Sequence, residues 1–76
     1  MKLERIANNL NKVTIGNYIF WFSYETVIAF KEPNKTLCIS ENVWTRTTGK
    51  HLNYIDKFLP RTPYDEFKEK LNNLPF

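Results

Sequence analysis

Between Thr45 and Lys57 the chain places cations, hydroxyls, an amide and an aromatic ring at spacings that one face of a helix would bring together. On a helix, Arg46, Lys50, Asn53, Tyr54 and Lys57 fall along one exposed stripe, because residues three and four apart lie one above another. The hydroxyls of Thr47 and Thr48 and the free N–H groups of the first turn add donors at the end where the helix dipole favours an anion. Phosphate is a guest that this set suits. Arg46 can grip it in bidentate fashion, Lys50 adds a point charge, and Tyr54 can stack on a base for roughly 1 to 3 kcal/mol. The candidate ligand-binding residues are therefore Arg46, Thr47, Thr48, Lys50, His51, Asn53, Tyr54 and Lys57. Solvated helix faces commonly carry the same residue types, and Thr ahead of a helix is ordinarily a cap, so a plain structural role is equally open.

Other chemistries find fewer parts. Nucleophilic catalysis needs a hydroxyl or thiol beside a base that a third group orients, and the sequence holds one His and one Cys with nothing local to pair them. Cys38 sits in a strand pattern and reads as a small buried hydrophobe. His51 reads as a structural hydrogen-bonder near a helix start, and Trp44 as a core anchor. A zinc site would need three or four ligands of which only Cys38 and His51 are of the soft type, so neither a metal nor a cofactor is expected. Gly49-Lys50 lacks both the first glycine of a phosphate loop and the Ser or Thr after its lysine, since position 51 is His. Glu25, Glu32, Glu41 and Asp56 read as solvated carboxylates. Binding without turnover is the expectation, and a small hydrolase using His51 with Glu41 or Asp56 is the remotest reading.

The elements that must position the stripe can be read from periodicity. Leu3, Ile6, Ala7 and Leu10 recur at helical spacing, which predicts a short N-terminal helix. Val13 to Ile15 alternates as a strand, and Gly16-Asn17 supplies a tight turn. Tyr18 to Ser23 is a strand apolar on both faces, with Tyr18, Phe20 and Phe22 on one and Ile19 and Trp21 on the other. A helix of the same chain, another protomer or a ligand must cover the second face. Tyr24-Glu25-Thr26 reads as a turn, Val27 to Lys31 as the next strand, Glu32 to Lys35 as a loop and Thr36 to Ser40 as the fourth strand. Connections this short make the strands an antiparallel meander.

Two helices follow. Thr45 or Thr47 caps the first, which buries Thr48, Leu52, Ile55 and Leu59; Leu59-Pro60-Arg61 breaks it. The second starts with Thr62 as cap and Pro63 in its first position, turns Tyr64, Phe67, Leu71 and Leu74 inward, and sets Glu66 and Lys70 four apart outside. The predicted fold is α+β: a short N-terminal helix, a four-stranded antiparallel meander, then two C-terminal helices packed on the sheet, as one domain over residues 1–76.

Length and charge bound the function further. A chain of 76 residues has room for one core, and its small apolar area makes self-association an expected source of added stability. Net charge is +3, with four cations against two acids over residues 41–61, which permits nucleic-acid or nucleotide binding without demanding it. One cysteine allows no internal disulfide, and neither a membrane-length apolar run nor a signal-peptide pattern is present. A cytoplasmic protein is expected.

The segments Phe22-Ser23-Tyr24-Glu25-Thr26, Ser40-Glu41-Asn42-Val43-Trp44 and Thr47-Thr48-Gly49-Lys50-His51-Leu52-Asn53 resemble a family of small phage and prophage proteins that is a domain of unknown function. The likeness spans residues 13–70. It implies a phage setting and no mechanism; taken with the Thr45 to Lys57 residues, the expectation is a phage-encoded accessory protein, counter-defence its role, that binds a nucleotide signal or nucleic acid stoichiometrically in the host cytoplasm. The alternative is a protein–protein inhibitor of a host defence complex, in the manner of an anti-CRISPR, or an oligomer, using the Tyr18 to Phe22 strand or an exposed sheet edge.

Overall fold

The computed structural model describes residues 1–75 and shows five strands followed by two helices. Strands β1 (Lys2–Ala7), β2 (Leu10–Ile15), β3 (Tyr18–Ser23), β4 (Thr26–Lys31) and β5 (Cys38–Ile39) form one antiparallel sheet in chain order. Helix α1 spans Arg46–Ile55 and α2 spans Tyr64–Asn72. The α+β class and the meander are as expected.

Two expectations are corrected. The N-terminal segment is the strand β1, which raises the strand count to five. Its residues mimic a helical period for an identifiable reason. A bulge between Arg5 and Ala7 breaks the two-residue alternation, so Ile6 and Ala7, neighbours in sequence, both pack against the core. Leu10 belongs to the next strand, and between them Asn8-Asn9 makes a two-residue hairpin with Asn9 at φ 62°. Asparagine tolerates that left-handed conformation well. The last strand is also shorter than expected, with Cys38–Ile39 in place of Thr36 to Ser40.

Strand β3 explains the layering. Phe20 and Phe22 join Phe30, Phe67 and Leu74 in one cluster, whereas Trp21 packs against the cluster of Leu10, Ile28, Ala29, Ile39 and Leu52. Alternate residues of a strand point to opposite faces, so the two clusters lie on opposite sides of the sheet. Helix α1 contributes Leu52 and Ile55 to one side; α2 contributes Phe67 and Leu71 to the other. The two-faced apolar strand is thus met on both faces by helices of its own chain. Leu59 lies beyond α1, half-buried, yet still packs against the α1 side.

Helices on opposite faces require the chain to pass round a sheet edge, and it passes round β5. There Ser40 and Thr62 form a parallel bridge, with Thr62 N–H donating to Ile39 O at 2.7 Å and Glu41 N–H to Thr62 O at 2.8 Å. Thr62 is therefore occupied and does not cap α2, contrary to its place in the sequence pattern. Pro63 holds the N-cap position, and Glu41 reaches across to accept from the Tyr64 N–H at 3.0 Å. The Glu66–Lys70 pair forms at 3.5 Å on the exposed side, as its spacing predicts.

Phe67 is 1% exposed and stacks obliquely on Phe30 at 5.3 Å between ring centroids. Phe67→Ala should cost about 3 to 5 kcal/mol, a large part of the margin of a small domain, and urea denaturation followed by circular dichroism checks it.

Candidate functional site

Helix α1 is fixed at its start by Thr45, whose Oγ1 accepts the Thr48 N–H at 3.3 Å. Asn42 organises the approach, its side chain accepting from Trp44 N–H and donating to Thr45 O, each at 3.0 Å. Gly49 sits against it: a methyl group there would lie 2.9 Å from Asn42 Nδ2, so the glycine makes room for the amide.

The inward face of α1 is polar at its centre. Thr48 is 5% exposed and His51 7%, and both reach Ser23 at the end of β3. Ser23 Oγ lies 2.7 Å from His51 Nδ1 and 3.1 Å from Thr48 Oγ1, while His51 Nε2 lies 3.0 Å from Asn8 O. A carbonyl oxygen only accepts, so Nε2 carries a proton and donates. In the neutral ring Nδ1 then accepts from Ser23, Ser23 accepts from Thr48, and Thr48 accepts from Thr45 at 3.4 Å. Every buried hydroxyl and both ring nitrogens are satisfied, as buried polar groups require.

These atoms also have the outline of an activated nucleophile: a hydroxyl on a base that a third group orients. Ser23, however, is 2% exposed. In this conformation no substrate reaches it, and the arrangement fastens α1 to the sheet. Neither Ser23 nor the Asn8 carbonyl is visible as a partner of His51 from sequence, being 28 and 43 positions away.

A flank of α1 turned away from Thr48 and His51 opens on a cleft of about 390 Å³ lined by Asn42, Arg46, Gly49, Lys50, Leu52, Asn53 and Arg61. Three of these side chains are cationic and none is acidic. Arg61 Nη2 donates to Asn53 Oδ1 at 3.0 Å, whereas its buried Nη1 has no hydrogen-bond partner. Among the described residues no ion pair involves Arg46, Lys50 or Arg61. The first turn of α1 holds no acidic residue to offset its positive dipole end.

Of the residues singled out in the sequence, Arg46, Lys50 and Asn53 meet in this cleft. Thr47 and Tyr54 are exposed on α1 outside its lining, Tyr54 to 64%. Thr48 and His51 face the opposite way, into the sheet. Lys57 lies past the helix end at Ile55, in the turn that follows, and so leaves the stripe. Arg61 was missed because it follows the helix break at Pro60; its link to Asn53 spans eight positions. Phe58, 93% exposed, was missed for want of a pattern. Asp56 shapes this turn by accepting from Phe58 N–H at 2.8 Å and Leu59 N–H at 3.0 Å. Those two bonds, first Phe58 and then Leu59, with a smaller effect of Arg61, hold its carboxyl below the ordinary value.

The described residues contain no group of three or more His, Cys, Asp or Glu placed to hold a metal ion, and no helix among them is long and apolar enough to cross a membrane. Cys38 is half-buried, its Sγ 3.6 Å from Thr62 Oγ1.

Fold and site together define a small helix-flanked meander with a cationic cleft beside its first helix. The chain belongs to DUF8033, a family of unknown function whose model matches residues 1–70. The match includes β1, and so reaches further toward the N-terminus than the resemblance over residues 13–70. No curated protein and no solved structure matches the chain.

Two expected outcomes follow from this geometry. Ser23→Ala leaves His51 Nδ1 without a donor and the Thr48 hydroxyl proton without an acceptor, though Thr48 still accepts from Thr45, and should cost about 1 to 3 kcal/mol, with less-than-additive loss when combined with Thr48→Val in urea denaturation; nitrogen NMR should show the His51 proton on Nε2. A carboxyl whose folded pKa is depressed adds stability above its unfolded value, near 3.8, that is lost as pH falls through the folded value. Asp56→Ala should therefore lower the Tm at neutral pH, and the difference from the unsubstituted protein should shrink as the pH is taken below that value.

Proposed function

We propose that the protein binds a phosphate-bearing ligand, a nucleotide or nucleic acid, stoichiometrically in the cleft between α1 and Arg61. The observation that carries this reading is the cleft lining, in which Arg46, Lys50 and Arg61 meet with no acidic residue and, among the described residues, no ion pair; Arg61 is tied to Asn53 through Nη2 while its Nη1 has no hydrogen-bond partner. An anionic oxygen in the cleft takes charge-assisted hydrogen bonds from the exposed Arg46 and Lys50 and from the guanidinium donors that Asn53 leaves over. Arg46 and Lys50 supply further charge from the first two turns of α1, and the amides of Asn42 and Asn53 supply neutral contacts.

Exposed Tyr54 and Phe58 belong to the same stretch of chain and offer ring faces for a base, which favours nucleotides over inorganic phosphate. Within the phage setting that the sequence resemblance implies, capture of such a ligand would serve counter-defence by sequestration, with no turnover required.

Fluorescence anisotropy with a labelled single-stranded oligonucleotide and calorimetry with nucleoside triphosphates test the reading at low salt. Replacing Arg46, Lys50 and Arg61 by Gln should weaken binding at least about tenfold, since each charged hydrogen bond contributes roughly 1.5 to 3 kcal/mol, while the circular dichroism spectrum is kept. Oligonucleotide binding should also weaken with salt, by a log–log slope of about 0.7 per phosphate contacted. Equal affinity for the triple variant would exclude the cleft.

A further inference from the structure

We propose that β1 pairs antiparallel with β1 of a second copy of this chain, about a twofold axis through Leu3, so that two sheets become one continuous sheet. The inference is independent of the phosphate-binding reading. It starts from the asymmetry of the two sheet edges. At one edge β5 is two residues long and the passing chain covers it through the Ser40–Thr62 bridge. At the other edge β1 is six residues long and pairs with β2 alone. A long open edge presents a row of backbone donors and acceptors ready for another strand.

Charges commonly guard such an edge, and β1 carries Lys2, Glu4 and Arg5. Their order makes the guard selective. The pairing with β2 is regular from Lys2 to Arg5 and shifts beyond it at the bulge, so the regular part offers four residues as the centre of a twofold pairing. Directly opposed residues share a face of the sheet, so the axis must pass through a residue rather than between two. Centred on Lys2, Glu4 or Arg5, the pairing sets a like charge against itself, which is destabilising. Only Leu3 avoids this.

With Leu3 at the centre, Lys2 of each copy stands opposite Glu4 of the other. The two are already 3.6 Å apart within one chain, on the same face, with Lys2 exposed and Glu4 half-buried. Leu3, 70% exposed, meets Leu3 of the second copy on the other face. There it adjoins Val13 and Phe22, with which it lines a shallow apolar groove that α2 leaves uncovered. Two opposite-charge pairs and one apolar pair then form across the junction, the contacts that stabilise neighbouring strands.

Sedimentation velocity over a concentration series tests the proposal, with circular dichroism to confirm folding of each variant. The unsubstituted protein should show a reversible monomer–dimer equilibrium. Lys2→Glu alone and Glu4→Lys alone should each weaken dimerisation by about tenfold, because two opposed pairs change sign at once. The double exchange Lys2→Glu/Glu4→Lys should restore it. Because the double exchange also restores the contact of Lys2 with Glu4 within one chain, the Lys2→Glu and Glu4→Lys single variants are mixed as well. That contact stays broken in each, so dimers that form in the mixture and not in either variant alone are specific to the Leu3-centred register. A protein that stays monomeric at every concentration, or a double exchange that behaves like its single variants, overturns the proposal, whatever other protein uses the edge.

Discussion

The buried hydrogen bonds that join Asn8, Ser23, Thr48 and His51 are the constraint on which the rest of the molecule depends. They connect the ends of two neighbouring hairpins to one helix, and the hairpins are themselves joined by the Tyr24 N–H donating to Asn9 O at 2.8 Å. Each member has one satisfying arrangement, so the helix has one rotation about its axis. Once Thr48, His51 and Leu52 point inward, the 3.6-residue period turns Arg46, Lys50 and Asn53 away from the sheet. The cationic cleft is thus a consequence of where the polar contacts of the opposite face are spent. Tyr24 shows the force of the constraint: at φ 59° it holds a left-handed conformation unusual for a bulky residue, with its ring 6.1 Å from that of His51.

Around this fixed point the sheet is a central layer with aromatic residues on both sides. On the α1 side Trp21 also receives Lys12, whose Nζ lies 5.9 Å from the ring centroid, so a partly exposed indole is shielded by a cation from the adjacent strand. Near the β5 edge Trp44 and Tyr64 meet edge to face at 5.5 Å, joining the lead-in of α1 to the first residue of α2. A short chain gains much from this arrangement. Residues of β3 and β4 on either face have a layer to bury against, where a single-faced sheet of the same length would leave half of them in water.

How much of this was legible in the sequence varies by segment, for physical reasons. The Gly16-Asn17 turn, the aromatic strand after it and the outer and inner faces of the last helix were readable because local geometry alone decides them; Gly16 takes the left-handed φ of 58° that the turn needs. The first strand was not, since a bulge disguised its alternation as a helical period. Thr62 looked like a cap because the pattern of residues around it is that of a helix start, whereas a distant strand end claims its backbone. Within the site, Arg46, Lys50 and Asn53 followed from helical spacing. Arg61 and Ser23 could not, because each is brought to α1 by tertiary structure. His51 was read correctly as a hydrogen-bonder, but its partners lie on strand ends that no spacing rule connects to it.

The passage of the chain from one face of the sheet to the other also sets an order of events during synthesis. The meander can pair as it emerges, each strand on the one before, and α1 can close its face soon afterward. The opposite face, with Phe20, Phe22 and Phe30, has no cover until α2 has cleared the ribosome. For that interval the nascent chain carries an aromatic surface open to other proteins, and the speed at which residues 56–72 follow the sheet governs how long the exposure lasts.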